Sequence, residues 1–300
     1  MNLNSIWSDL VESYNLFNKS LYSIYRKMLE EKTIPQRLSG WGPFVTMFPD
    51  QAITFDKYQR IFPYDSEKAF HESLSVAAQE GYLTWEAGAY RATKMGEEAT
   101  LKGMQGLTDV AASLKPMPQA DLKRLVDYLI RFCEATDTAP EPPSHFCHTV
   151  YKNYKRTFPN DAPLMRWFIH YYKELDFYRT DAHVAAWQVH NVAGNRWEAF
   201  TAVWNGEADT LDTFYEEYSD RGFTRDEYVQ AFHELVERGW VRQDGESYHP
   251  TAEGKRIRVE AETLTDKYFF APWSCLNESE LEELASLASQ LRDGLHNLNK

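Results

Sequence analysis

Two segments with nearly the same pattern decide the fold of this chain. The first is Leu74-Ser75-Val76-Ala77-Ala78-Gln79-Glu80-Gly81-Tyr82-Leu83, followed by Tyr90 and Thr93-Lys94-Met95-Gly96. The second, roughly 157 residues later, is Phe232-His233-Glu234-Leu235-Val236-Glu237-Arg238-Gly239-Trp240-Val241, followed without a gap by Tyr248 and Thr251-Ala252-Glu253-Gly254. The repetition predicts a pseudo-twofold molecule, in which one polypeptide corresponds to a homodimer of a smaller protein.

The repetition extends well beyond these segments. Upstream, Trp41-Gly42-Pro43-Phe44 corresponds to Trp197-Glu198-Ala199-Phe200. Downstream, Asp121-Leu122-Lys123-Arg124-Leu125-Val126 corresponds to Glu280-Leu281-Glu282-Glu283-Leu284-Ala285, and both stretches have the three- and four-residue apolar spacing of a helix. The repeated unit is therefore predicted to be a whole domain.

Each repeat predicts a helix, a glycine and a short β-hairpin. The predicted helices cover Ser66–Gln79 and Thr224–Arg238, and Gly81 and Gly239 stand where a helix ends in a left-handed residue. An apolar strand, a polar turn and a returning strand then form a wing. Threonines stand at predicted N-caps, at Thr93, Thr224 and Thr251. A long amphipathic helix opens each half.

The composition is that of an ordinary globular protein, with 43% apolar and 26% charged residues. No apolar run approaches the ~20 residues that span a bilayer, and the first residues lack the pattern of a signal peptide. Cys133, Cys147 and Cys275 form no CxxC pair, so reduced thiols are expected. We therefore expect a cytoplasmic protein with no membrane partner.

The order of elements resembles that of MarR-type winged-helix regulators, with the wing exit at Thr93-Lys94-Met95-Gly96 and Thr251-Ala252-Glu253-Gly254. The second half is also similar to an uncharacterised actinobacterial helix-turn-helix family, through Tyr178-Arg179-Thr180-Asp181-Ala182-His183-Val184-Ala185-Ala186 and Ala271-Pro272-Trp273. The resemblance implies a helical dimerisation layer, a ligand cleft between that layer and each winged helix, and transcriptional control.

The expected fold class is mainly α with short β-wings, as two MarR-like winged-helix repeats that form an intramolecular pseudo-dimer. The predicted domains are a first winged-helix unit at 1–135, a Pro-rich linker with a basic and aromatic segment at 136–160, and a second winged-helix unit at 161–300. The linker prediction rests on Pro140, Pro142 and Pro143, which exclude regular helix.

Double-stranded DNA is the partner that the resemblance implies. The side chains predicted to contact DNA are Lys68, His71, Arg91, Arg225, Gln230 and Arg242. Acidic residues share these surfaces, with Glu86, Asp244 and Glu246 at the wing tips, and residues 207–300 hold 21 acidic against 10 basic residues. Because acids oppose the attraction of phosphate, DNA binding follows from the fold and is not supported by the local charge.

Aromatic residues make up 15% of the chain and indicate either cores between short helices or an aromatic ligand pocket. The residues predicted to line such a pocket are Trp41, Trp187, Trp197, His183 and His190. The two histidines are seven residues apart and would share one helix face. Histidines hydrogen-bonded inside an aromatic core are the alternative interpretation.

His145-Phe146-Cys147-His148 places three side chains of metal-ligand type within four residues. No second cluster with fitting spacing accompanies it, so no metal and no cofactor are predicted. The segment Tyr151-Lys152-Asn153-Tyr154-Lys155-Arg156 has the basic and aromatic character of a nucleic-acid or anion contact, with a solvated helix face as the alternative.

The chain has no G-x-S-x-G, P-loop, G-x-G-x-x-G or HExxH motif, so an enzyme is not expected. Three hypotheses follow. The first is a ligand-responsive, DNA-binding regulator. The second is a winged-helix scaffold that binds a protein or a small aromatic molecule without DNA. The third is an enzyme or metalloprotein that uses His183, His190 or the segment 145–148.

Overall fold

A computed structural model describes residues 2–31, 34–35, 37–48, 50–154 and 159–299. The protein is mainly helical, at 73%, with two small antiparallel sheets. The helices are α1 (Leu3–Glu30), α2 (Leu38–Met47), α3 (Phe55–Ile61), α4 (Glu67–Gln79), α5 (Lys94–Ser113), α6 (Gln119–Asp137), α7 (Phe146–Lys152), α8 (Leu164–Gln188), α9 (Gly194–Asn205), α10 (Leu211–Glu217), α11 (Arg225–Glu237), α12 (Ala252–Phe270) and α13 (Glu278–Leu298). The strands are β1 (Leu83–Glu86), β2 (Ala89–Ala92), β3 (Val241–Asp244) and β4 (Ser247–Pro250).

The apolar side chains form three separate cores. The first core lies in a central layer made of α1, α6, α8 and α13 with the C-terminal parts of α5 and α12, and both halves of the chain contribute to it. Phe17, Leu129, Phe168 and Leu291 are fully buried there. The predicted long opening helices, α1 and α8, therefore lie in this shared layer and bury their apolar faces in it.

The other two cores each belong to one lobe. The first lobe consists of α2–α4, β1, β2 and the start of α5, with a core around Trp41 and Phe70. The second lobe consists of α9–α11, β3, β4 and the start of α12, with a core around Trp197 and Phe232. Each lobe contains a helix-turn-helix, formed by α3 and α4 in the first lobe and by α10 and α11 in the second.

The two lobes repeat the same local hydrogen bonds. Gly81 and Gly239 have φ values of +81° and +69°, which side-chain-bearing residues rarely adopt. The hydroxyl of Thr93 donates to the Gly81 carbonyl at 2.7 Å, and that of Thr251 donates to the Gly239 carbonyl at 2.6 Å. Both hydroxyls also accept from the amide three residues later and cap α5 and α12, as the sequence predicts.

Each lobe contains a two-stranded hairpin, predicted as a wing, that a third segment joins through an isolated bridge. The bridges are Ile53 with Tyr90 and Thr210 with Ser247, the latter one residue before Tyr248, which corresponds to Tyr90. In the second lobe, Thr224 and Glu227 form the capping box that opens α11.

The segment predicted as a linker contains regular structure. Helix α6 extends to Asp137, and α7 follows at Phe146–Lys152. Cys147, Val150 and Tyr151 of α7 are buried in the core of the first lobe. This helix also contacts α8, so it connects the first lobe to the central layer. The division at 136–160 stays a prediction.

Candidate functional site

A cavity of about 650 Å³ lies between the central layer and the first lobe. Its walls come from α1, α2, α5, α7 and α8 and from the residues that follow α3. Five tyrosines line it, namely Tyr14, Tyr22, Tyr25, Tyr151 and Tyr154. Its apolar wall includes Phe17, Leu21, Phe44, Phe62, Met104 and Leu107. The volume and the mixture of aromatic, apolar and hydroxyl groups are those of a small-molecule site.

Glycines on α2 and α5 contribute to the shape of this cavity. Gly40 is exposed at the cavity edge, and a Cβ added there would meet no atom within 4 Å. A Cβ at Gly103 would come within 2.6 Å of Leu38 and 3.2 Å of the Tyr25 hydroxyl, so this glycine lets α2 approach α5. Burial and the neighbouring Tyr154 raise the pKa of Tyr25 to about 12, which keeps its phenol neutral and able to donate.

Two basic side chains and one carboxylate, that of Asp176, are the charged groups that line the cavity. The Lys173 ammonium bonds to Asp176 at 2.6 Å and lies 5.4 Å from the ring centre of Tyr14. Burial alone would lower the pKa of Lys173, but the Asp176 carboxylate and Tyr14 keep it above its ordinary value. Arg166 is fully buried, with its guanidinium 5.4 Å from the Tyr154 ring centre. One side of the cavity can therefore receive an anionic or hydrogen-bond-accepting group.

The three tryptophans predicted to line a pocket lie elsewhere. Trp41 is fully buried in the core of the first lobe and is not part of the cavity lining. Trp187 and Trp197 stack at 5.9 Å within the core of the second lobe. The tryptophans therefore fill cores between helices, which is the alternative to an aromatic ligand pocket that the composition indicated.

The two predicted pocket histidines lie in different surroundings, His183 between the lobes and His190 in the second lobe. The Nε2 of His183 lies 2.9 Å from the Tyr64 hydroxyl, and the His190 ring stacks on Trp197 at 5.9 Å. Burial, with the nearby positive charges of Arg258 and Arg179, lowers the pKa of His183 to about 4. His183 is therefore neutral at pH 7, and it lines a smaller cavity of about 410 Å³ between the lobes.

Sequence reasoning missed the tyrosines of the large cavity. Their signal was present in the apolar face of α1, which carries Tyr14, Phe17 and Leu21, and in the aromatic pair Tyr151 and Tyr154 of the basic segment. Of that segment, Lys152 pairs with Asp137, whereas Lys155 and Arg156 lie outside the described residues.

The segment 145–148 lies at the start of α7, and its polar groups have partners within the chain. The backbone amides of Cys147 and His148 donate to the Asp181 carboxylate at 3.0 and 2.9 Å, so Asp181 caps α7 from α8. Burial and Asp181 raise the pKa of the Cys147 thiol, which favours its neutral form. Throughout the described ranges, no group of three or more His, Cys, Asp or Glu side chains could hold a metal ion.

A buried polar cluster lies next to this helix. The two oxygens of Glu174 are each 3.3 Å from an Nε2 atom, one of His148 and one of His170. All three side chains are at most 3% exposed. Tyr151 stacks on His170 at 5.4 Å and separates the cluster from the cavity. The cluster therefore fixes α7 against α8 and supports the cavity wall from behind.

The residues predicted to contact DNA lie on α4, α11 and the two wings, but most of them are already engaged within the chain. Lys68 is 3.7 Å from Glu72, and the His71 Nδ1 is 3.0 Å from the Tyr90 hydroxyl. Arg91 donates to the Asp50 carbonyl at 3.0 Å.

In the second lobe, two of the side chains predicted to contact DNA also have partners within the chain. Arg225 bonds to Asp212 at 2.5 Å, and Arg242 is 3.5 Å from Asp244. Gln230 is exposed on α11. Exposed ion pairs exchange readily for other partners, so these side chains remain available to phosphate or base edges, although carboxylates compete for them.

Comparisons with known proteins agree with this fold. Residues 159–297 match the model of a family described as a helix-turn-helix family. No curated protein and no solved structure matches the chain. Over the part of the chain that the structure describes, no helix has both the length and the apolar character needed to cross a membrane. The second half of the chain is therefore similar to a helix-turn-helix family, and both lobes have the order helix, turn, helix.

Proposed function

We propose that the protein is a ligand-responsive regulator with MarR-like winged helices, built as an internal pseudo-dimer, and that its ligand binds in the large cavity described above. The observation that carries this proposal is the 650 Å³ space between the central layer and the first lobe. The pseudo-dimer is supported by the core shared between the halves and by the matched bonds of Thr93 and Thr251. The ligand class that fits is a small aromatic molecule with an anionic group.

Substitution of Gly40 tests the cavity directly. We expect Gly40→Trp to fill the cavity edge, because a side chain there meets open space and the backbone can stay in place. The probe is 8-anilino-1-naphthalenesulfonate, an aromatic anion whose fluorescence rises in apolar surroundings. Wild-type protein should bind one probe per chain, and Gly40→Trp should weaken that binding at least about tenfold, which corresponds to about 1.4 kcal/mol.

The matched control is Gln105→Trp, which places the same indole on the exposed side of α5, outside the cavity lining. It should bind the probe as the wild type does. Equal probe affinity in Gly40→Trp and Gln105→Trp, with both variants folded by circular dichroism, would contradict the cavity as the ligand site.

DNA is proposed as the partner through which such a regulator acts, on the strength of the helix-turn-helix family match and the exposed faces of α4 and α11. We expect weak binding of random duplex DNA at about 50 mM salt that falls at least about tenfold by 200 mM, because a few phosphate contacts release a few counterions. Fluorescence anisotropy of a labelled duplex measures this.

The acidic tip of the second wing provides a variant with the opposite effect. The double substitution Asp244→Asn and Glu246→Gln removes two negative charges near Arg242, so it should strengthen DNA binding several-fold at low salt. If neither the wild type nor this variant binds DNA at about 50 mM salt, the proposal of DNA binding fails, and the alternative of a winged-helix scaffold for a protein or aromatic ligand takes its place.

A further inference from the structure

The two lobes are held together by an ion cluster centred on Arg221. Its Nη1 donates to Asp65 at 2.9 Å, and its Nη2 lies 2.8 Å from Glu198. Both carboxylates are at most 10% exposed and Arg221 is 30% exposed, so water screens the cluster less than it screens an ion pair on the surface. Asp65 also accepts from the Tyr58 hydroxyl at 2.7 Å. One guanidinium of the second lobe is thus joined to a carboxylate of each lobe.

Backbone contacts between the lobes are equally close. The Ser66 amide, at the N-cap of α4, donates to the Arg221 carbonyl at 3.0 Å. A Cβ at Gly222 would lie 2.7 Å from the Ala69 amide nitrogen, and one at Gly194 would lie 1.9 Å from the Pro63 carbonyl oxygen. These approaches leave no room for side chains at either glycine.

Tyr64 extends this contact to α8. Its hydroxyl lies 2.9 Å from His183, and its ring stacks on Trp187 at 6.3 Å. The residues 61–66, here called the bridging segment, thereby connect the end of α3 to the start of α4 while they contact the second lobe at several points.

The bridging segment also forms part of the large cavity. Ile61 and Phe62 line both this cavity and the smaller cavity between the lobes, and Asp176 and Thr180 of α8 line both as well. Phe62 is 40% exposed, so a molecule in the large cavity can cover it and restrict its motion. Only two residues separate Phe62 from Asp65.

We propose that the bridging segment couples the large cavity to the contact between the lobes, so that a ligand resting on Phe62 tightens the Arg221 cluster and holds α4 and α11 at a fixed spacing. This inference rests on the proposed ligand cavity. The ligand orders residues 61–66, which lowers the entropic cost of forming the contact between the lobes. That contact in turn orders Phe62 in the cavity wall, so the ligand binds at a lower entropic cost.

If the ligand stabilises the contact between the lobes, that contact must strengthen ligand binding by the same factor. The coupling can therefore be measured as a change in probe affinity. Arg221→Gln loosens the contact between the lobes without touching the cavity, so the affinity for 8-anilino-1-naphthalenesulfonate should fall about fivefold. The matched control is Arg256→Gln, since Arg256 also joins two carboxylates, those of Glu253 and Glu260, but on an exposed part of α12. That control should bind the probe with wild-type affinity.

Tyr64→Phe provides a milder variant that keeps the stacking ring and removes only the hydroxyl near His183. It should lower probe affinity in the same direction and by a smaller factor. Hydrogen exchange gives an independent readout, because saturating probe should slow exchange of the Ser66 amide in the wild type and have less effect in Arg221→Gln.

The outcomes separate the two proposals. If Gly40→Trp weakens probe binding as expected while Arg221→Gln and Tyr64→Phe bind the probe as the wild type does, the cavity stands and the coupling is overturned. If Gly40→Trp leaves binding unchanged, the ligand site itself is wrong. Reduced affinity in Arg221→Gln with unchanged affinity in Arg256→Gln, together with slower exchange at Ser66, supports the coupling.

Discussion

Replacing either Gly96 or Gly254 by alanine should destabilise the protein by about 3 kcal/mol, near the upper end of the usual cost of overpacking. A Cβ at Gly96 would lie 2.1 Å from the Tyr82 carbonyl oxygen, and one at Gly254 would lie 2.0 Å from the Trp240 carbonyl oxygen. Those oxygens also accept the Thr93 and Thr251 amides, so the wing and the helix must separate to admit a methyl group.

Alanine normally favours a helix over glycine by about 1 kcal/mol, so helix propensity acts against this loss. Gly40→Ala is the matched control, because its Cβ meets no atom and the substitution should stabilise the protein slightly. Denaturant unfolding followed by circular dichroism measures all three variants. Equal stability of Gly96→Ala and Gly40→Ala would show that the close approach at the wing exit does not exist.

Glu174→Ala should cost about 3 to 5 kcal/mol, because it leaves two buried imidazoles without their shared carboxylate. The Glu174 side chain is 3% exposed and lies 3.3 Å from both His148 and His170. Loss of the carboxylate also loosens α7, which carries Tyr151 of the cavity wall. Probe binding to the large cavity should weaken together with stability.

Measuring the free energy of unfolding at acid pH separates the contribution of the Glu174 charge from that of the size of its side chain. Burial alone would raise the pKa of Glu174, but the bonds from His148 and His170 outweigh it and lower the pKa to about 2. Since this pKa lies below that of the unfolded chain, the contribution is present above about pH 4.3 and is lost as the pH falls towards 2. It amounts to about 3 kcal/mol.

Glu174→Gln keeps the shape and removes the titrating group. Between about pH 4.3 and pH 2, the wild type should lose more stability than this variant does. Identical slopes of unfolding free energy against pH in the two proteins would exclude an ionised Glu174 in the folded state.

The local structure around the two glycine-containing segments could be predicted from the sequence. Helix periodicity, the left-handed glycines and the threonine caps all depend on residues close together in the chain, and they hold at Gly81, Thr93, Gly239 and Thr251. Gly96 and Gly254 also depend on local sequence, because the carbonyl oxygens that they approach, those of Tyr82 and Trp240, lie only 14 residues earlier in the chain.

The residues that line the large cavity could not be predicted in the same way. Trp41, Trp187 and Trp197 were selected as large aromatic residues, yet a tryptophan that fills a core and one that lines a cavity look alike in sequence. The tyrosines of the large cavity come from α1 and from the end of α7, which are more than 100 residues apart. Only the packing of α1 against α8 and the first lobe brings them together.

The surroundings of the histidines also could not be predicted from the sequence. His148 and His183 each have the character of a ligand when their sequence neighbours alone are considered. Their partners are Glu174 in one case and Tyr64 in the other, and neither is close in sequence. The pKa of a histidine depends on such partners and on burial, which local sequence does not encode.

By itself, the sequence determined the helices, the hairpins and the helix caps around its two similar segments, because these depend on interactions within about a dozen residues. The tertiary structure decided how the repeats meet, which side chains surround the cavity, and how Arg221 joins Asp65 to Glu198. Those features depend on contacts between distant segments, and the free energy of such contacts is set by burial and by distances that exist only once the helices have packed.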